Sequence, residues 1–144
     1  MKDIIFVSNY FGNGGAATVM KSLIEKLPKD KYNIKLISFL DDEKKYKIPN
    51  EIEYINLSST IKETKIEKIK SILKLRKIIK KNKDAIIISF EYFINMRTII
   101  ATFLLNNKII ISERNDPSRS GNKKRKTVCL NGKLTGKRFS CQET

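Results

Sequence analysis

The chain has 144 residues and a mass of 16.7 kDa, with 30 Lys and Arg against 15 Asp and Glu, a formal net charge of +15 and a pI near 9.9. That length supports one core and not two, and 40% apolar with 31% charged residues suits a globular domain rather than a disordered chain. The absence of histidine excludes Ser-His-Asp triads, imidazole general bases and His-ligated zinc.

Ile4-Ile5-Phe6-Val7 is a short β-rich run that leads into Gly12-Asn13-Gly14-Gly15, a buried strand followed by a loop. Val19, Met20, Leu23, Ile24 and Leu27 then recur at one-, three- and four-residue steps, which predicts an amphipathic helix closed by Pro28. Residues 33–39 predict a second strand and residues 51–57 a third, at a sheet edge. A long helix is expected over 62–83 and a strand over 85–90. A helix over 93–105 follows, with Met96, Ile99, Ile100, Phe103 and Leu104 expected inward, and a last strand over 108–112. Continuous Ile/Val strands alternating with helices define the fold class as α/β, a Rossmann-like doubly wound parallel sheet.

Net charge is concentrated in two segments, since residues 1–60, 61–84, 85–120 and 121–144 carry +1, +7, +1 and +6. In the first of these, Lys70, Lys74, Lys77 and Lys81 are spaced four, three and four apart and line one side of the predicted helix. Ile66, Ile69, Ile72, Leu73 and Ile79 are expected to crowd toward its other side. The stripe is either a solvated face or a docking face for an anionic membrane. No aromatic interleaving, Arg-rich reading helix or zinc pattern accompanies it, so no specific nucleic acid partner is expected, and a basic nucleic-acid-binding protein stays an alternative on charge alone.

Residues 4–7 are too few for the apolar part of a signal peptide, and residues 85–112 are interrupted by Glu91, Arg97, Asn106, Asn107 and Lys108. No spanning helix is therefore expected, and the expected location is cytoplasmic, peripheral to the inner face of the cell membrane if the lysines dock there. Cys129 and Cys141 match no usual metal or redox spacing and are read as reduced thiols.

Two loops are candidate sites. Gly12, Gly14 and Gly15 stand at the carboxyl end of the first strand, where backbone N–H groups and the following helix dipole attract a phosphate. The spacing Gly12-x-Gly14-x-x-Ala17 also fits a loose dinucleotide fingerprint, with Asp41 or Asp42 as ribose acceptor, so the alternative is the NAD(P)-binding Rossmann domain of an oxidoreductase. Glu113, Arg114 and Asn115, within Ile111-Ser112-Glu113-Arg114-Asn115-Asp116-Pro117, emerge from the last strand and offer an acid, a guanidinium and an amide at the same edge.

Taken together, the strand, the Gly-Gly loop, the Ala-containing helix start and the Ser112–Pro117 string make residues 1–120 resemble the N-terminal half of bacterial glycosyltransferase family 4 (group 1) enzymes of the GT-B fold. The resemblance implies an acceptor-side Rossmann-like domain over 1–120, with Gly14 and Gly15 approaching a donor diphosphate and Glu113, Arg114 and Asn115 lining the interdomain cleft. It implies transfer of a sugar from a nucleotide-sugar donor to a glycan or lipid-linked acceptor in surface polysaccharide biosynthesis, with retention and with neither a metal nor another cofactor. Where the family's loop often continues with Glu-Arg, this chain has Ala17-Thr18. The family's second Rossmann domain, which grips the nucleotide sugar, has no counterpart in these residues, so the 144-residue chain alone is expected to be inactive. All 23 isoleucines lie within residues 1–117, and residues 121–144 are expected to be a basic tail, disordered or frame-shifted.

Overall fold

A computed structural model describes residues 1–12, 14–40, 46–58 and 64–112, together with the backbone of Ser140 and Cys141. The elements are β1 (Lys2–Ser8), α1 (Gly15–Lys26), β2 (Tyr32–Ser38), β3 (Glu53–Asn56), α2 (Lys65–Lys81), β4 (Ile86–Phe90), α3 (Tyr92–Thr102), β5 (Lys108–Ser112) and the two-residue β6 (Ser140–Cys141). Every pairing is parallel, and the strands run in the order β3-β2-β1-β4-β5-β6. The chain steps outward from β1 to β3, returns to β4 on the other side of β1, and steps outward again. Right-handed crossovers in such a sheet put α1 on one face and α2 and α3 on the other. The fold is thus the expected Rossmann-like α/β sheet, with β3 on an edge.

The two-residue period of the strands divides the core between these faces. Ile4, Phe6, Ile34 and Leu36 pack with Met20 and Ile24 of α1, while Ile5, Val7, Ile37, Ile87 and Ile109 pack with Leu75 and Ile79 of α2 and Ile94 and Ala101 of α3. Local signals set the helix ends. Thr64 opens α2 with a capping box: its hydroxyl accepts from the Glu67 amide at 3.3 Å, and the Glu67 carboxylate accepts from the Thr64 amide at 2.6 Å. Asn107, buried before β5, donates through Nδ2 to the carbonyls of Asn82, Lys83 and Ala85 at 2.8, 3.0 and 3.2 Å, which closes the turn between α2 and β4.

Three sequence expectations are corrected here. On α3 the buried residues are Ile94, Asn95, Thr98, Ala101 and Thr102, whereas Met96, Ile100, Phe103 and Leu104 are exposed and Ile99 is half-buried. On α2 the buried residues are Ser71, Leu75 and Ile79, whereas Ile66, Ile69 and Leu73 are exposed and Ile72 is half-buried. Small and hydroxyl side chains occupy the sheet-facing positions: Ser71 Oγ donates to the Glu67 carbonyl at 2.8 Å and Thr102 Oγ1 to the Thr98 carbonyl at 2.7 Å, whereas the buried Thr98 hydroxyl has no hydrogen-bond partner among the described residues. Ile110, whose place in a continuous apolar run implies burial on both faces, is 39% exposed, because it points to the α1 face where, among the described residues, no helix covers β5.

Candidate functional site

The order of the strands reverses at the boundary between β1 and β4, and the carboxyl edge at such a switch point is where open α/β sheets form their ligand crevice. Polar residues mark that edge. Ser8, Ser38 and Ser112 close β1, β2 and β5, Asn56 closes β3, and Ser89 is next to last in β4. Ser38 and Tyr54 share a hydroxyl hydrogen bond of 2.7 Å, and the Ser8 hydroxyl is buried without a hydrogen-bond partner among the described residues.

On the β1 side, Gly12 is buried, while Gly14 and Gly15 are exposed. Gly14 is the N-cap of α1 with φ at 150°, a conformation side chains rarely adopt, so a glycine is needed there for the backbone itself. Gly15 differs. Its φ is ordinary and a Cβ built on it meets nothing within 4 Å among the described residues, which do not require glycine at this position. Beside Gly14 the nearest group is the Tyr10 hydroxyl, 3.7 Å from a Cβ built there, the cap makes no side-chain hydrogen bond, and the first turn has no acidic residue. The N–H groups and positive dipole end of the helix are thus presented to whatever enters the crevice.

The loop is braced from two directions. Inside α1, the Thr18 amide and hydroxyl both donate to the Gly14 carbonyl at 2.9 Å. Across it, the Tyr46 amide donates to the Phe11 carbonyl at 2.9 Å, its ring meets Phe11 edge-on at 5.6 Å, and its hydroxyl lies 3.2 Å from Thr18 Oγ1. Ala17 is buried against the sheet, so the Ala17-Thr18 pair is structural support for the loop. Tyr46 was not legible as a site residue, since nothing in its local sequence connects it to a loop 30 positions earlier.

On the β4 side, Glu91 is the N-cap of α3 with φ at 75° and no side-chain capping bond. Glutamate is a poor choice for positive φ and for an N-cap, so its place at the switch point makes it a site candidate that no sequence signal marks. Beyond it, Ser89 Oγ donates to Asn95 Oδ1 at 2.7 Å, and Asn95 Nδ2 donates to the Ser112 carbonyl at 3.2 Å. Asn95 thereby pins the carboxyl end of β5, from which Glu113, Arg114 and Asn115 continue. Those three, with Asp41 and Asp42, lie outside the described residues. Lys70, Lys74, Lys77 and Lys81 run along exposed α2 away from the crevice, and Lys74 Nζ donates to the Leu57 carbonyl at 3.0 Å. Among the described residues no three His, Cys, Asp or Glu side chains gather into a metal-binding group.

A parallel switch-point sheet whose first loop exposes a glycine pair over an uncapped helix is a Rossmann-like ligand-binding architecture, and residues 9–115 match the family model described as glycosyl transferase 4-like; the chain belongs to that family. It is 32% identical over 120 residues to a protein of Campylobacter jejuni subsp. jejuni serotype O:2, GalNAc-α-(1→4)-GalNAc-α-(1→3)-diNAcBac-PP-undecaprenol α-1,4-N-acetyl-D-galactosaminyltransferase. The aligned region is 81% of this chain and 33% of that relative, so the chain spans about a third of its length. The matched span includes the Ser112–Asn115 segment, and the dinucleotide reading is left with its loose glycine spacing alone.

Proposed function

We propose that these residues form the acceptor-side half of a glycosyltransferase that moves a sugar from a nucleotide-sugar donor to a glycan carried on a polyprenyl diphosphate. The observation that carries this reading is the first turn of α1, without a side-chain cap and with open space at Gly15 among the described residues, in a chain of the glycosyl transferase 4-like family. When the donor's glycosidic bond breaks, negative charge develops on the departing diphosphate. Fixed N–H donors and a helix dipole at that point stabilise it without reorganising during the reaction. Glu113, Arg114 and Asn115, following the strand end that Asn95 holds, are assigned to hydroxyls and phosphate oxygens of the substrates. The relative's name specifies a lipid-linked acceptor, and an acceptor of that kind places the enzyme at a bilayer surface.

A grip on the nucleoside and sugar must come from residues beyond 1–144, because one backbone phosphate site cannot orient a donor for attack. The isolated chain is therefore expected to bind a nucleoside diphosphate at about millimolar Kd and to transfer no sugar. The test joins residues 1–120 to the second half of the Campylobacter relative and measures transfer to an undecaprenyl-diphosphate-linked glycan. Transfer by the fusion and its loss in a folded Gly15→Val fusion are expected. Full activity of the Gly15→Val fusion would reduce the loop to a plain turn.

A further inference from the structure

The outward sides of α2 and α3 carry large apolar residues where solvent-facing helices ordinarily carry polar ones. Ile66, Ile69 and Leu73 on α2 and Phe93, Met96, Ile100, Phe103 and Leu104 on and after α3 are between 43% and 67% exposed. Phe93, Met96 and Ile100 are spaced three and four apart, a single stripe on the side of α3 opposite the buried Ile94, Thr98 and Ala101. Ile66, Ile69 and Leu73 repeat that spacing on α2.

The two stripes adjoin. Both helices cross from the carboxyl to the amino edge of the sheet, so they run the same way, and Arg76 Nη1 donates to the carbonyls of Ala101 and Phe103 at 2.9 and 2.6 Å. That register puts Leu73 and Ile69, one and two turns before Arg76, at about the level of Ile100 and Met96. Lys70, Lys77, Lys80 and Lys81 are exposed on the same outward side of α2, interleaved with and flanking its apolar residues.

Leu104 supplies an independent observation. It follows the α3 C-cap at φ 62°, a left-handed position where glycine or asparagine is favoured, and its side chain is exposed. Leucine there has neither a backbone reason nor a packing reason, which leaves a surface reason.

We propose that the α2–α3 face is a membrane-docking plate, with Ile69, Leu73, Met96, Ile100, Phe103 and Leu104 entering the interfacial region of an anionic bilayer while the α2 lysines meet its headgroups. Charge complementarity selects this occupant: apolar residues alone would suit a second copy or another protein, but a face that interleaves them with exposed lysines suits a surface that is apolar within and negative outside. Apolar insertion carries the reach into the bilayer, and the lysines carry selectivity for anionic lipid. The proposal goes beyond sugar transfer, since it requires neither donor nor acceptor, and either reading can fail while the other stands.

The test floats the full chain with phosphatidylglycerol/phosphatidylcholine vesicles and with phosphatidylcholine vesicles alone. The chain has no tryptophan, so Phe103→Trp introduces a single fluorescent reporter of depth. Co-flotation with anionic vesicles only, and a blue shift of the reporter's emission on binding, are expected. Lys70→Gln with Lys77→Gln should weaken binding by about 25-fold, since each lysine at an anionic surface is worth roughly fivefold. Leu104→Gly should weaken binding while leaving the unfolding midpoint unchanged or higher, a split that a merely structural role would not produce. Absence of flotation would overturn the proposal. Binding without a blue shift would overturn the insertion. Self-association without vesicles that Ile100→Ser abolishes would give the face to a second copy instead.

Discussion

Asn95 is the residue through which the interior of the domain fixes the geometry of the crevice, and its replacement has a magnitude that follows from three atoms. It is 5% exposed, Ser89 is fully buried, and the 2.7 Å bond from Ser89 Oγ to Asn95 Oδ1 is therefore sealed from water. Asn95→Ala leaves that hydroxyl without its acceptor, at a cost of about 1–3 kcal/mol, and removes the donor to the Ser112 carbonyl, worth about 0.5–1.5 kcal/mol because that carbonyl is near solvent. The sum is about 1.5–4.5 kcal/mol, a large share of the roughly 5–15 kcal/mol that holds a domain folded. Urea unfolding followed by far-UV circular dichroism reads this as a lowered midpoint at unchanged slope.

The Ser89→Ala variant should also destabilise the fold, by orphaning Asn95 Oδ1. In the double variant no partner is left waiting, so the two losses should fall short of additive by about 1 kcal/mol or more. Additive losses, or an Asn95→Ala midpoint within about 0.5 kcal/mol of the parent, would refute the claim that this pair is a sealed hydrogen bond.

Ile87→Asp and Ile110→Asp should separate sharply in soluble yield. Ile87 is fully buried between two faces, and an unpaired carboxylate there costs several kcal/mol, whereas the partly exposed Ile110 can present a carboxylate to water and its variant should unfold cooperatively. Glu91→Gly, which relieves a positive φ, should be more stable than Glu91→Ala by about 1 kcal/mol in thermal unfolding, and equal midpoints would remove the argument from strain. The Thr64 backbone amide, and after it the Thr64 hydroxyl, hold the Glu67 carboxyl below the usual carboxylate range. Its folded pKa is depressed, so its contribution is present above the unfolded value and lost as pH falls through the folded one. Glu67→Gln keeps the capping geometry without a titrating group, and urea midpoints taken from pH 6 down to pH 3 should fall less steeply in that variant.

The fold was legible in the sequence because each of its rules is local. Ile4–Val7 is apolar at every position and buried on both faces, Ile86–Ile88 continues that pattern at the neighbouring strand, and the helical spacings between such runs supply the crossovers a parallel sheet requires. The glycine pair was legible for the same reason, since three of six glycines in a single turn after a strand have few structural uses. Tyr46, Glu91 and Asn95 were not, because their roles depend on what the topology brings beside them: Tyr46 on the Phe11 carbonyl, Asn95 on the end of a strand 17 residues later, Glu91 on a dihedral angle that no residue type announces.

The failure on the helix faces is of another kind. A periodicity rule assigns the stripe richest in Ile, Leu and Phe to the core; on α3 that assignment is reversed, and on α2 it holds at Ile79 but fails at Ile66, Ile69 and Leu73. The sheet side of α3 is filled by Ile94, Thr98, Ala101 and Thr102, small enough to bring the helix close to β1 and β4, so the core there has no room for Phe93, Met96 or Ile100. Those residues are surplus to folding. Keeping them exposed, beside Leu104 in a backbone conformation that a glycine would occupy at lower cost, opposes solubility and stability together, and a position where local rules fail in both respects is where a surface role is expected.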